Sequence, residues 1–109
     1  MKSSPSFDLI VTVVNKGDAG RVVQASTRAG AEGGTILHGR GTGIHEQARL
    51  FGILIEPEKE VVLTLLPEER TQQVLSAIVR AVDLDEPGRG IAFVLPVKAV
   101  AGIAHSTSE

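Results

Sequence analysis

The run Phe7-Asp-Leu-Ile-Val-Thr-Val-Val14 limits the fold more than any other stretch of the chain. It is rich in β-branched side chains and carries one charge, a composition that suits a strand buried on both faces. Asn15, Lys16 and Gly17 then form a turn, and Asp18 stands where a helix N-cap would accept orphan backbone N–H groups. Ala19, Val22, Val23, Ser26 and Ala29 follow at three- and four-residue spacing, with Arg21, Gln24 and Arg28 on the other face. That spacing predicts an amphipathic helix packed on a sheet and stopped by Gly30.

Gly33 and Gly34 lead into a strand from Thr35 to about Arg40 that grows richer in glycine. The segment from Ile44 to about Leu50 has polar spacing that fits a short helical turn. Residues 51–55 read as a loop that can pair locally, because Pro57 forbids an unbroken strand through that point. Residues 59–66 form the third main strand. Pro67, Glu68 and Glu69 open a second helix, whose buried stripe is Val74, Leu75, Ile78 and Val82. Residues 91–95 form the fourth main strand, ended or bent at Pro96. The order β-α-β-β-α-β is that of an α+β, ferredoxin-like domain, a four-stranded antiparallel sheet with two helices on one face. It is expected over residues 7–104, between tails at 1–6 and 105–109.

A chain of 109 residues, 42% hydrophobic and 22% charged, supports one core and leaves no room for a separate catalytic domain. The net charge of -2 supplies no basic surface for a phosphate backbone, and three Phe with no Trp or Tyr leave few stacking platforms. Both features argue against nucleic acid as the partner. The absence of cysteine excludes disulfides, thiol nucleophiles and thiolate metal sites. No apolar run approaches the roughly 20 residues of a spanning helix, and the first residues do not read as a secretory signal, so a cytoplasmic protein is expected.

Two glycine clusters are candidates for chemistry. In Gly39-Arg40-Gly41-Thr42-Gly43, consecutive backbone N–H groups can approach an anion that a Cβ would hold off; the alternative is a strand end with a bulge. Position 44 is Ile, so the dinucleotide fingerprint G-x-G-x-x-G fails. Gly88-Arg89-Gly90 is either a second such wall or an ordinary loop with a glycine helix stop. In a domain of this order the two clusters need not be neighbours within one subunit, and they could meet across a subunit boundary. His38, His45 and His105 lack metal-ligand spacing. No serine elbow or oriented histidine is present, so no enzyme is expected. Glu56, Glu58 and Glu60 alternate as on a solvated edge.

From about residue 7 to residue 104 the chain resembles the P-II family of signalling proteins. The resemblance rests on Gly30-Ala-Glu-Gly33-Gly34-Thr35, the pair Gly41-Thr-Gly43, Glu60-Val-Val-Leu-Thr-Leu-Leu-Pro67-Glu-Glu, and Gly88-Arg-Gly90-Ile-Ala-Phe93-Val-Leu-Pro-Val97. It implies a homotrimer that binds a small effector, a nucleotide or other anion, in clefts between subunits. Opposite walls of one cleft would come from Thr35, Gly39, Arg40, Gly41, Thr42 and Gly43, and from Gly88, Arg89 and Gly90. It also implies a T-loop at about 43–58 that docks on a regulated protein, a membrane transporter or a nitrogen-metabolism enzyme. His45, Arg49, Leu50, Phe51, Ile53 and Leu54 are the expected contacts, because apolar side chains on a mobile segment form contact sites.

The departures from the family pattern are specific. The lysine that follows the glycine turn and contacts phosphate is replaced by Ile91, and the late basic residues by Gly102 and Ala104. The T-loop is several residues short. With no tyrosine in the chain, control by uridylylation is excluded. Much of the positive charge that would hold a triphosphate is gone, which leaves Arg40 and Arg89 as the alternative cations and an adenine nucleotide as one ligand among several. The chain therefore reads as a divergent P-II-like branch. The competing reading is a trimeric metal-binding protein resembling the CutA proteins, using His38 and His45.

Overall fold

The computed structural model describes residues 6–42, 48–50 and 52–102. In chain order these form β1 (Phe7–Asn15), α1 (Ala19–Arg28), β2 (Thr35–Arg40), β3 (Ala48–Leu50), β4 (Ile53–Ile55), β5 (Glu58–Pro67), α2 (Thr71–Ala81) and β6 (Gly90–Val97). The four long strands make one antiparallel sheet in the order β2-β5-β1-β6, and β3 and β4 pair separately as a small ribbon. This is the ferredoxin-like arrangement expected from the pattern.

The sheet has two unlike faces. On one, Ile10, Thr12 and Val14 of β1 and Val62, Thr64 and Leu66 of β5 are fully buried beneath Ala19 and Val22 of α1 and Val74 and Ile78 of α2. Leu75, expected in the buried stripe of α2, is only partly covered. On the other face no element of the described chain lies over the sheet. The register aligns Leu37, Val61, Val13 and Ile91 in one row across four strands, and Thr35, Leu63, Val11 and Phe93 in the next. Ile91 is 57% exposed and Phe93 44%. Burial of β1 on both faces, expected from its composition, is therefore met on the helix face alone within one chain.

Several local expectations are corrected. Residues 48–50 form a strand rather than a helical turn, while 43–47 lie outside the described residues. Leu50 pairs with Ile53 across a two-residue turn in which Gly52 takes φ +80°, a conformation that favours glycine, and β-branched residues follow it. Residues 53–55 are thus a strand of that ribbon, not a loop. Pro67 closes β5, and Glu68–Arg70 make a single 3-10 turn that leads into α2. The final strand runs through Pro96 to Val97; β6 is an edge strand, so the missing N–H costs no ladder bond to a further neighbour.

The ends of α1 are closed from a distance. Asp18 makes no side-chain cap. Instead Glu60 of β5 accepts hydrogen bonds at Oε1 from the backbone N–H groups of Gly17 (3.0 Å) and Ala19 (2.9 Å). The Asp18 carboxylate pairs with Arg21 and Arg89. At the other end, beyond the stop at Gly30, Arg70 Nη1 donates to the Gly30 carbonyl at 2.8 Å and Gln73 Nε2 to the Ala29 carbonyl at 2.7 Å. Each set of partners meets the partial charge of the helix terminus with a group of suitable sign or polarity.

Candidate functional site

The two glycine clusters occupy the same end of the sheet but opposite edges. Gly39 and Arg40 end β2 on one edge, where they pair with Lys59 and Glu58. Gly90 opens β6 on the other edge, opposite Val14. Strands β5 and β1 lie between them, three inter-strand spacings or about 14 Å. One chain cannot close a cleft with both.

The first cluster is open. All six residues of β2, Thr35 included, are exposed, and the ladder through Arg40 is regular, so the bulge alternative does not hold over 35–40. A Cβ added at Gly39 or Gly41 would touch nothing within 4 Å. Neither glycine has positive φ, so the fold of a single chain does not demand glycine at either position. Gly41 N–H donates to the Pro57 carbonyl at 3.2 Å and clasps the foot of the intervening segment. Thr42 is exposed, and Gly43 lies outside the described residues. Arg40 makes no ion pair with a described residue.

The second cluster is built differently. Gly90 has φ +139°, and a Cβ there would sit 2.3 Å from the Val13 carbonyl oxygen, so only glycine lets β6 enter the sheet at this point. Gly88 is not the helix stop; α2 ends before Asp83, which takes the left-handed conformation at φ +54° while Leu84 N–H bonds back to Val79 at 3.0 Å. Arg89 is two-thirds covered and lies 3.7 Å from Asp18 Oδ2 and 3.9 Å from Asp83 Oδ2. It meets any anion already shared between two carboxylates. Ile91 projects onto the bare apolar face, so position 91 supplies no cation to this turn.

Between the clusters lies a polar line that sequence reasoning missed. Lys59, only 6% exposed, donates from Nζ to Asn15 Oδ1 at 2.7 Å, and Asn15 Nδ2 donates to the Gly88 carbonyl at 3.0 Å. Glu60 is not on a solvated edge: its carboxylate is 13% exposed and stands 3.8 Å from His38 Nδ1. The signal lay in its parity, since it shares the helix-facing side of β5 with Val62, Thr64 and Leu66. Of the expected contact loop, Ile53 is 66% exposed at the tip of the ribbon, and Arg49, Leu50 and Leu54 belong to its strands; His45 and Phe51 lie outside the described residues. Among the described residues no group of three His, Cys, Asp or Glu is arranged to hold a metal ion. No helix among them is long and apolar enough to cross a membrane.

Residues 7–106 match the model of the family described as nitrogen regulatory protein P-II. The chain belongs to the P-II family. P-II of Arabidopsis thaliana, in a crystal structure bound to citrate, is similar to it with a TM-score of 0.71 and 22% identity, over 93% of this chain and 86% of that one. A Bacillus cereus protein related to NIF3 is similar with a TM-score of 0.67 and 22% identity, over 90% of this chain and 27% of that one. These likenesses are of fold. No curated protein matches the sequence. Within the P-II family, this chain combines a regular, open first glycine cluster with a second whose arginine is held by two carboxylates.

Proposed function

We propose that this P-II chain is a trimeric, cytoplasmic signalling protein that acts by binding, not by catalysis. It takes a small anionic effector in clefts between subunits and regulates a partner, a transporter or a nitrogen-metabolism enzyme, through the loop at about 43–58. The observation that carries this reading is the pairing of a bare apolar sheet face with glycine clusters on its two opposite edges. Apolar rows such as Leu37, Val61, Val13 and Ile91 call for another copy against them. A copy that covers this face from one edge to the other brings one subunit's Gly39–Thr42 toward a neighbour's Gly88–Gly90, which a single chain keeps apart.

The cations that the two described glycine clusters carry are Arg40 and Arg89, with no lysine at position 91. That set suits one or two phosphate or carboxylate groups better than a fully charged triphosphate. ADP, AMP, citrate and 2-oxoglutarate therefore stand beside ATP as first ligands to try, citrate because the similar Arabidopsis protein binds it. The test combines mass by light scattering with a thermal-shift panel of these anions, cyclic nucleotides, bicarbonate and zinc. A trimeric mass and a rise in Tm with one anion support the reading, because a ligand that binds the folded state alone raises Tm. A monomer at micromolar concentration, or stabilisation by zinc alone, refutes it.

A further inference from the structure

The geometry points to Asn15 as a positioning residue that joins the two glycine clusters of one chain. Through it, a displacement of the 86–90 loop is carried to the clasp at the foot of the 43–58 segment. The steps are all hydrogen bonds or a few covalent links. The Gly88 carbonyl accepts from Asn15 Nδ2, Asn15 Oδ1 accepts from Lys59 Nζ, and Lys59 follows Glu58 and Pro57, whose carbonyl accepts from Gly41 N–H. The line thus crosses the end of the sheet from β6 to β2.

The chemistry makes the middle of this line directional. An ammonium can only donate, so the Asn15 oxygen must face Lys59, and the amide nitrogen is left facing Gly88, where a carbonyl can only accept. No other side chain of similar length offers both an acceptor and a donor in this fixed order. Lys59 is buried on the same side of β5 as the bare apolar face, so its ammonium cannot swing into water without breaking its contact with Asn15. The 86–90 loop has a second anchor, Arg89 between Asp18 and Asp83, but those carboxylates lie on the side of α1 and α2 and do not reach β2. Among the described hydrogen bonds, the Asn15 route leads to the foot of the other cluster at Gly41. That the clusters bind an effector rests on the function proposed above; the connection between them does not.

The test is residue-resolved amide exchange by NMR on the full chain without ligand. Asn15→Asp keeps the acceptor for Lys59 but sets a carboxylate oxygen against the Gly88 carbonyl. The expected result is faster exchange, by about fivefold for the loss of one hydrogen bond, at Arg89, whose N–H bonds the Glu86 carbonyl, and also at Gly41, with Ile10 and Val62 in the core unchanged. Lys59→Met, which keeps the length but has no donor, approaches from the other end and is expected to speed exchange at Arg89 by a similar factor. It also serves if Asn15→Asp does not fold. Acceleration confined to 86–90 in the first variant, or uniform acceleration throughout in both, overturns the proposal. Because no ligand is present, failure of the thermal-shift panel would sink the effector reading and leave this result standing on its own.

Discussion

Glu60→Ala tests the long-range closure of α1. The carboxylate accepts two backbone N–H groups at 3.0 and 2.9 Å on one oxygen, in a site where its side chain is only 13% exposed. A hydrogen bond to a charged group contributes about 1.5 to 3 kcal/mol, and loss of a helix N-cap about 0.5 to 2 kcal/mol. The two bonds share one acceptor and do not add. Together these place the loss at about 2 kcal/mol, and for a domain near this size each kcal/mol moves Tm by about 4 to 8 °C, so a fall of about 8 to 16 °C is expected. Glu60→Gln retains an acceptor but not the charge that favours the positive helix end, worth about 0.3 to 1 kcal/mol, so its fall should be at most about half as large. The assay is thermal unfolding by circular dichroism at fixed protomer concentration, paired with urea titration to show that the slope m is unchanged. If Glu60→Ala shifts Tm by less than about 2 °C, or if Gln and Ala are equivalent, the cap is not what holds this helix end.

Further expectations follow from single contacts. Gly90→Ala drives a Cβ into the Val13 carbonyl at a backbone angle that L residues rarely adopt, and should cost about 3 kcal/mol or more, read as a lowered urea midpoint or loss of soluble protein. Thr64→Val removes a fully buried hydroxyl that finds no hydrogen-bond partner among the described residues, and should stabilise by about 1 kcal/mol, a rise of about 4 to 8 °C in Tm. Arg40→Gln should weaken ATP or citrate binding about tenfold in a calorimetric titration while leaving the Tm of the free protein unchanged, since a lost charged hydrogen bond is worth about 1.5 kcal/mol or more. Arg89→Gln should weaken the same binding and also lower Tm by a few degrees, because Asp18 and Asp83 lose their shared cation.

The order of the long elements was legible because each carries its own periodicity. The β-branched run of β1, the spaced Ala19, Val22 and Ser26 of α1, and Val74 and Ile78 of α2 with Val82 just past its end report local geometry that tertiary contacts then reinforce. What was not legible depends on distant partners. Nothing near Asp18 marks that its helix is capped from Glu60 instead, and nothing near Asn15 marks that its amide spans two strands and a loop. The 48–55 ribbon escaped because its strands are three residues each, too short for a period to register. The apolar character of β1 on both faces reads as a demand for burial; the helices meet it on one face, and a single chain's pattern does not say what covers the other. In the glycine clusters the residue type was visible while its reason was not: Gly90 is required by the fold, whereas Gly39 and Gly41 face open space.

The closure of α1 bears on how the chain reaches its native state. A helix of 10 residues is marginal alone in water, because nucleation costs more than so few bonds return. The groups that complete its termini lie 40 or more residues further along the chain, in β5 and at the start of α2. It therefore cannot finish forming as a local event while the chain is being threaded together. Its last turn at each end must wait until the sheet and the second helix have docked, which couples the slow pairing of β1 with β5 to the completion of a helix that precedes β5 in sequence. The folding route this implies is one of late, simultaneous consolidation, with α1 and β5 opening and closing as a single unit.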